Sequence, residues 1–482
     1  MDYEPVIGLE THAELLTESK LWCNCRTRFG EPANTQTCPV CIGMPGVLPV
    51  LNERAIELAL RAALALNCRI NRPTYFDRKN YYYPDLPKNY QISQNYCNLG
   101  EEGHLDIPVG DAVRRVRILN VHLEEDAGKN MHVDHPGADY SLVDLNRAGT
   151  PLLEIVTAPD MHSAEEADSF MQALRRLLLY AGVSDCKMQE GSLRFEASIS
   201  MRPAGSDGLG TRVEIKNLNS MKAVAAVLQY EIRRQTGLLR KGETVAQETR
   251  LWDEQRGRSA AMRSKEEAQD YRYFPEPDLL PVEIDDEMLE EVAESVPELP
   301  LARRRRFMDE YDLNEYNATV LTDQRELADY YEACLEHHDT PQSVANWLIN
   351  VVLGHLNERA IGIGDFEIEP QELAELVRLM DDGKINANVA RDIMGKMVET
   401  GKGAQELVQE EGVEQVSDED ELAPIIEQVI EENPQPVQDY LGGKQAAVGP
   451  LVGQVMRATR GKADPKLANK MLREKLDQMA GE

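Results

Sequence analysis

The chain has 482 residues, enough for two to four domains with cores of their own. It carries 52 Lys and Arg against 84 Asp and Glu, a formal charge of −32, so long-range attraction to a polyanion is excluded and any nucleic-acid contact needs a local basic patch. No run of 18 apolar residues occurs, so no membrane span is predicted, and the start Met1-Asp2-Tyr3-Glu4-Pro5 lacks the basic and apolar regions of a signal peptide.

Strong acidity with Arg in excess of Lys suits a salty, halophilic cytoplasm, where charge is screened over short distances. Four of the eight cysteines fall within the first 41 residues, and Cys68, Cys97, Cys186 and Cys334 are scattered. That distribution predicts a cytoplasmic protein with one metal knuckle, not a disulfide scaffold.

Residues 5–15 read as a strand. Glu10 and His12 lie two apart, hence on one face, and can offer a carboxylate and an imidazole to the same ion. An ordinary strand also tolerates Glu-x-His. Cys23-x-Cys25 followed by Cys38-Pro39-Val40-Cys41 is a stronger signal, because two close pairs across a short loop supply four thiolates to a tetrahedral Zn²⁺. With no open position, that ion is structural. Residues 52–66 predict a helix with Asn52 as N-cap and Ala55, Ile56, Ala59, Leu60, Ala63 and Leu64 on one face. Residues 76–94 interleave basic residues with aromatics and prolines. An ordered loop of this kind suits a nucleotide or the 3′ end of an RNA, or else packs its tyrosines inward.

The stretch His122-Leu123-Glu124-Glu125-Asp126-Ala127-Gly128-Lys129 crowds three carboxylates. On a strand, Glu124 and Asp126 share one face and Glu125 takes the other. A Mg²⁺ ion relieves the repulsion and keeps such groups ionised; the other reading is a solvated acidic run. Gly128 is expected to allow a tight turn, and Lys129 to meet a phosphate.

Residues 111–219 alternate between apolar and polar, as strands of a mostly antiparallel sheet do. They place Glu154, Arg194, Glu196, Glu214 and Lys216 at facing positions that a plain core would reject. A helix is predicted over 163–182, with Ser163 and Glu166 as a capping box, and another from Asn219 or Ser220 to about Gly237. Five prolines from Pro275 to Pro300 mark a domain boundary. Beyond it the chain reads as helical, with starts at Thr340-Pro341, Glu369-Pro370 and Asp464-Pro465 and an acidic interruption over 410–421. Arg457, Arg460, Lys462, Lys466, Lys470, Arg473 and Lys475 form a basic cluster in the tail, either an RNA-backbone contact or a solvated helical surface.

These stretches together resemble the B subunit of the tRNA-dependent amidotransferases that convert Asp-tRNA(Asn) or Glu-tRNA(Gln). The resemblance is carried by residues 6–12, the cysteine knuckle with Cys41-Ile42-Gly43-Met44-Pro45-Gly46, residues 77–94 and 122–129, Leu145-Asn146-Arg147-Ala148-Gly149-Thr150-Pro151-Leu152-Leu153-Glu154-Ile155, Glu190-Gly191-Ser192, Glu214-Ile215-Lys216-Asn217-Leu218-Asn219-Ser220, Gln247-Glu248-Thr249-Arg250 and residues 270–281. It implies an α+β fold: a β-rich, glutamine-synthetase-like cradle over 1–292 with the zinc knuckle at 23–41, a helical domain over 293–406 and a small helical, tRNA-binding tail over 407–482. It implies a carbon–nitrogen ligase that phosphorylates the side-chain carboxylate of the misacylated tRNA with ATP and Mg²⁺. Ammonia then comes from a glutaminase A subunit, in a heterotrimer completed by a small C subunit.

Carried onto this chain, the resemblance suggests Glu10, His12, Glu124 and Glu125 as the Mg²⁺ group, with Glu154 as a further metal or substrate contact. Lys79, Arg147, Ser192, Arg194, Lys216 and Asn217 are the implied ATP and acyl-phosphate contacts, and Lys462, Lys466, Lys470 and Arg473 the tRNA contacts. Four departures stand out. Thr11 replaces the usual Val, Asn89 the usual Gly, and Ala158 a common acidic residue; Phe195-Glu196-Ala197-Ser198 replaces an Asp-Ala-Asn pattern and leaves any role of Glu196 or Ser198 open. No Gly-Gly-Ser-Ser run with a partner Lys and no Walker loop occurs, so ammonia is expected from a partner and ATP binding is not of the P-loop kind. A stand-alone carboxylate–amine ligase and a non-catalytic tRNA-binding scaffold are the rival readings.

Overall fold

The computed structural model describes residues 2–110, 112–132, 140–262, 270–413, 419–459, 463 and 465–481. It divides into two compact units, Met1–Pro300 and Leu301–Glu482.

In the first unit the strands are β1 (Tyr3–Glu14), β2 (Arg69–Ile70), β3 (Asp77–Asn80), β4 (Tyr90–Ser93), β5 (Gly100–Val109), β6 (Ala112–Glu125), β7 (Lys129–His132), β8 (Ser141–Asp144), β9 (Pro151–Thr157), β10 (Leu193–Pro203), β11 (Val213–Lys216), β12 (Glu248–Asp253), β13 (Arg258–Ala261) and β14 (Phe274–Pro275). Nine of them form one sheet in the order β13-β12-β11-β10-β1-β9-β6-β5-β2. Its pairs are antiparallel apart from β11 with β12.

Side-chain alternation gives this sheet two unlike faces. Leu9 and Ala13 of β1, Leu153 and Ile155 of β9, Leu123 of β6, and Phe195 and Ala197 of β10 are buried in one continuous core. Helices α1 (Glu53–Ala65), α2 (Ala164–Tyr180), α3 (Met221–Arg240) and α4 (Asp286–Ser295) close that core with Ile56, Phe170, Leu174, Val224 and Val292. The residues between these positions are mostly charged, and they make the opposite face.

The caps follow the expected chemistry with one shift. Asn52 accepts from Arg54 N, Ser163 from Glu166 N and Ser220 from Ala223 N. The Glu166 carboxylate, however, accepts from His162 N (2.7 Å), so the box closes one residue early. Helix α3 also runs through Gly237 to Arg240.

Residues 76–94 are not a plain loop. Strands β3 and β4 pair as a hairpin, and β14 adds to β3, making a separate three-stranded sheet. Two four-residue strands separated by Pro84 and Pro87 leave too little periodicity to read. Asn89 enters β4 with φ +61, in the left-handed region where glycine is favoured and Asn is tolerated.

The second unit is helical: α5 (Pro300–Glu310), α6 (Glu315–Leu321), α7 (Arg325–His337), α8 (Pro341–Trp347), α9 (Leu353–Arg359), α10 (Pro370–Asp381), α11 (Ala387–Thr400), α12 (Ala404–Glu411), α13 (Glu419–Glu432), α14 (Pro434–Leu441), α15 (Val448–Ala458) and α16 (Pro465–Gly481). Helices α5 to α12 share one core, with Phe307, Tyr331 and Leu376 among its members. Helices α13 to α16 share another, with Leu422, Leu451 and Leu472. Pro341 starts α8 as expected, but Thr340 does not cap it; its hydroxyl donates to Asp381 (3.2 Å). Among the described residues no helix is long and apolar enough to cross a membrane.

Candidate functional site

The charged face of the sheet is organised in cross-strand rows. Register places Arg194 of β10, His12 of β1, Glu154 of β9 and His122 of β6 side by side across four adjacent strands. The row on one side holds Glu196, Glu10, Val156 and Asn120, and the row on the other holds Glu14, Leu152 and Glu124. Neighbours in a row point to the same face, so residues distant in sequence converge.

His12 Nε2 lies 3.4 Å from Glu154 Oε2 and 3.7 Å from Glu124 Oε1. His122 Nε2 lies 3.1 Å from the same Glu154 oxygen, and its Nδ1 faces Asn120 Oδ1 at 3.0 Å. Ser93 of the hairpin donates to Glu124 (3.3 Å). One ligand atom from each of His12, Glu124 and Glu154 falls within 4.8 Å of the others, close enough to share one divalent cation after a small side-chain adjustment.

The electrostatics suit such an ion. Burial, reinforced by the Glu154 charge, pushes Glu124 up, so a bare pair of ionised carboxylates is unfavourable there. Burial opposes ionisation of Glu154 too, but His122 and His12 outweigh it and hold Glu154 well below the carboxylate range. Burial would lower both imidazoles; Glu154 and Glu124 override it and raise them. The carboxylate charge that raises these imidazoles is the charge a metal cation would offset, so protons and a cation compete for the same atoms.

Of the other expected Mg²⁺ residues, Glu10 sits one row away. Its carboxylate is 3.3 Å from Arg212 and is pushed up by burial and by Glu154 and Glu196. Glu125 does not join the group. Alternation along β6 turns it to the opposite side, where it pairs with Lys88 and accepts from Ile92 N (2.9 Å). There it faces a cavity of about 210 Å³ that Lys20 and Cys41 also line.

The expected phosphate contacts divide. Lys79 is inside the site: its Nζ is 5.1 Å from the Tyr271 ring centre, and burial is outweighed by Glu124 and Glu154, which hold its pKa up. Among the described residues, no carboxylate lies within ion-pair distance of it. Arg194 is committed to Asp126 (3.0 Å), as is Arg147 (3.2 Å), which also donates to Ala127 O and Gly128 O. Lys216 pairs with Glu196 (3.0 Å). The Ser192 hydroxyl bonds Asp185 and accepts from Lys187 N (2.8 Å), and Asn217 donates to Trp252 O (3.1 Å) at φ +67; both are occupied in holding loops.

Gly128 is required for close approach, not for a turn conformation. A Cβ there would lie 2.7 Å from Asp144 O and 3.1 Å from Asp85 O. Lys129 is exposed.

Reading single stretches misses His122, Ser93 and Glu14 as members of the site, while Asp126, read there as a partner of Glu124, is held instead by Arg194 and Arg147. Glu14 continues the step of two set by Glu10 and His12, a signal that would have found it. Its carboxyl is pushed up to about 8 by burial and by Asp126.

The knuckle draws its four sulfurs together. Cys23, Cys25, Cys38 and Cys41 each place Sγ within 4.8 Å of the others, near the roughly 3.8 Å spacing around a tetrahedral zinc. Cys38 N donates to Cys41 Sγ (3.1 Å) and the buried Lys20 Nζ lies 3.6 Å from the same sulfur, both supporting a thiolate.

In the tail, Lys466 and Lys470 are exposed, and Lys466, Lys470 and Arg473 follow the helical spacing of α16. Arg473 donates to Asn469 (2.8 Å), and Lys475 pairs with Glu427 (2.6 Å). Arg460, Lys462 and Asp464 lie outside the described residues.

Two family models match the chain: the GatB/GatE catalytic domain over residues 5–290 and the GatB domain over residues 329–476. The B subunit of the aspartyl/glutamyl-tRNA(Asn/Gln) amidotransferase of Thermoanaerobacter pseudethanolicus is 51% identical over 478 residues, 99% of this chain and 100% of the relative. Those of Moorella thermoacetica (52% over 476 residues) and Persephonella marina (49% over 477 residues) are covered to the same extent. Register, charge distribution and these similarities agree, and the chain belongs to the GatB family of aspartyl/glutamyl-tRNA(Asn/Gln) amidotransferase B subunits.

Proposed function

We propose that the charged sheet face activates the side-chain carboxylate of an aspartyl or glutamyl group esterified to tRNA, as the B subunit of a glutamine-dependent, multi-subunit tRNA amidotransferase in the cytoplasm. The row Arg194–His12–Glu154–His122, with Glu124 one row on, carries this reading.

A carboxylate does not react with ammonia, because oxide is a poor leaving group. Phosphorylation by ATP supplies a phosphate leaving group and an electrophilic carbon, and ammonia then displaces phosphate to form the amide. His12, Glu124 and Glu154 would hold Mg²⁺, which supplies charge neutralisation between the substrate carboxylate and the γ-phosphate. Lys79, half-buried with no carboxylate at ion-pair distance among the described residues, is free to meet a transferring phosphoryl group. Arg194 and Arg147, held by Asp126, keep positive charge beside that position. The aromatic wall of Tyr81 and Tyr271 around Lys79 limits water and strengthens each of these interactions.

The four thiolates of the knuckle hold a structural Zn²⁺ that staples a segment poor in apolar residues. A glutaminase A subunit supplies ammonia, with a small C subunit completing the assembly, and the tail over 407–482 grips tRNA through Lys466, Lys470 and Arg473, joined by Lys462.

The test uses the assembled complex with misacylated Asp-tRNA(Asn) or Glu-tRNA(Gln), ATP and glutamine. Glu124→Ala lowers amidation roughly 100-fold or more while tRNA binding persists. Near-normal amidation by that variant would overturn the catalytic reading in favour of a scaffold.

A further inference from the structure

We propose that Glu14 receives the α-ammonium group of the aminoacyl end of the substrate, and that the cleft it opens on takes the terminal nucleotide. This rests on the function proposed above and adds a substrate-orienting residue to it.

Glu14 shares the face of β1 with Glu10 and His12 and lies two residues beyond His12, roughly 7 Å along the strand. Its row runs through Leu152 to Glu124, so it borders the His12–Glu124–Glu154 group directly. Its Oε1 is buried, with no hydrogen-bond partner among the described residues. The nearby guanidinium groups of Arg147 and Arg194 both pair with Asp126, and Arg194 keeps a buried Nε with no hydrogen-bond partner among the described residues. A buried carboxyl oxygen beside a second carboxylate, its pKa held up by burial and Asp126 by more than the two arginines offset, is stabilised in its ionised form by an incoming cation.

The cleft says which cation. Glu14 lies on both the charged face and a cleft of about 1030 Å³, lined by Arg26, Arg28 and Phe29 and by the acidic Glu18 and Glu31, with Lys187 paired to Asp185 and Glu190. Phe29 is 70% exposed, a free ring on which a base can stack. Arg26 and Arg28 are exposed, and no ion pair holds either among the described residues, so both can meet phosphate. A nucleotide seated there, with its ester directed inward, brings an amino acid to Glu14. In an aspartyl group three bonds separate the α-nitrogen from the side-chain carboxyl carbon, and in a glutamyl group four. An ammonium at Glu14 therefore directs the side-chain carboxylate toward His12, Glu124 and Glu154.

The experiment compares aminoacyl-tRNA with its N-acetylated form, which has lost the α-ammonium, in the assembled complex. Both kcat/KM for amidation and equilibrium binding are measured. The wild type prefers the free amine by about 10- to 100-fold, the range for a hydrogen bond to a charged group. Glu14→Gln reduces that preference to within about threefold, while Glu14→Asp keeps part of it. Gln has the size of Glu, so a preference due only to the bulk of the acetyl group would survive the substitution. Equal use of both tRNAs by the wild type overturns the proposal. So does a preference retained in Glu14→Gln, or one lost equally in the Asp and Gln variants. Binding reports even where turnover is lost. A wild-type complex that amidates neither tRNA removes the proposed function itself; amidation without an effect of Glu14 on the preference removes this inference alone.

Discussion

His12 of β1 and Glu154 of β9 are direct antiparallel neighbours, with Nε2 of one 3.4 Å from Oε2 of the other. Glu154 also contacts His122 on its far side, so a single carboxylate is shared by two imidazoles. Glu154→Gln keeps the shape and removes the charge that organises both rings. We expect amidation to fall by roughly 100-fold with the Kd for tRNA changed less than about threefold. Chelation of divalent metal reproduces the loss, and added Mg²⁺ reverses it in the wild type only. Paired rate and binding measurements on the assembled complex check this.

The cysteine cluster predicts bound zinc. Metal analysis of the purified protein finds about one Zn²⁺ per chain, and Cys38→Ser, which replaces one of four thiolates, loses it. The segment over 23–41 then becomes the first site of proteolytic cleavage, because its geometry depends on the ion. Full zinc retention in Cys38→Ser would show that the cluster is not the ligand set.

Thr11 faces the apolar side of β1, fully buried, and its hydroxyl has no hydrogen-bond partner among the described residues. Thr11→Val removes an unsatisfied buried donor at nearly constant volume. Stabilisation of the first unit by about 1 kcal/mol is expected, read as a higher denaturant midpoint. A lower midpoint would mean that the hydroxyl has a partner in solution.

Glu231 of α3 ties that helix to β12 and β13. It is fully buried, accepts from Arg234 (2.8 Å) and Gln235 (3.0 Å) and from Ser259, and lies 3.3 Å from Arg250. Burial alone would raise its pKa, but these hydrogen bonds outweigh burial and hold the folded value below the ordinary one. The stability it contributes is therefore present above the ordinary carboxylate range and is lost as pH falls through the lowered folded value. Glu231→Gln costs about 3 kcal/mol at neutral pH and flattens the acid limb of the stability profile. Denaturation at a series of pH values separates the two effects.

Much of the site is legible locally, because alternation by two is a property of a single strand. Glu10 with His12, and the opposite facing of Glu124 and Glu125, follow from spacing alone. Grouping Glu125 with Glu124 on resemblance sets that alternation aside, and the Lys88 pair shows its effect. What a single stretch does not carry is which strands lie side by side. β1 sits between β9 and β10, far away in sequence, so the meeting of His12 with Glu154 is a fact of sheet order. The hairpin of β3 and β4 is hidden for another reason. Lys79 and Ser93 serve the site, Arg78 pairs with Glu276 and Ile92 lies in the core, so the regular apolar pattern that marks a strand is missing. Asn89 keeps one trace of it, holding at φ +61 the conformation for which Gly is the usual choice.

The two-faced sheet also constrains how this chain can change. Because Leu9, Thr11 and Ala13 alternate with Glu10, His12 and Glu14, deleting a single residue within β1 would exchange the two sets wholesale. Carboxylates would be driven into the apolar core, and leucine would stand where a cation is wanted. Length variation in this protein must therefore fall outside its central strands, or come in pairs.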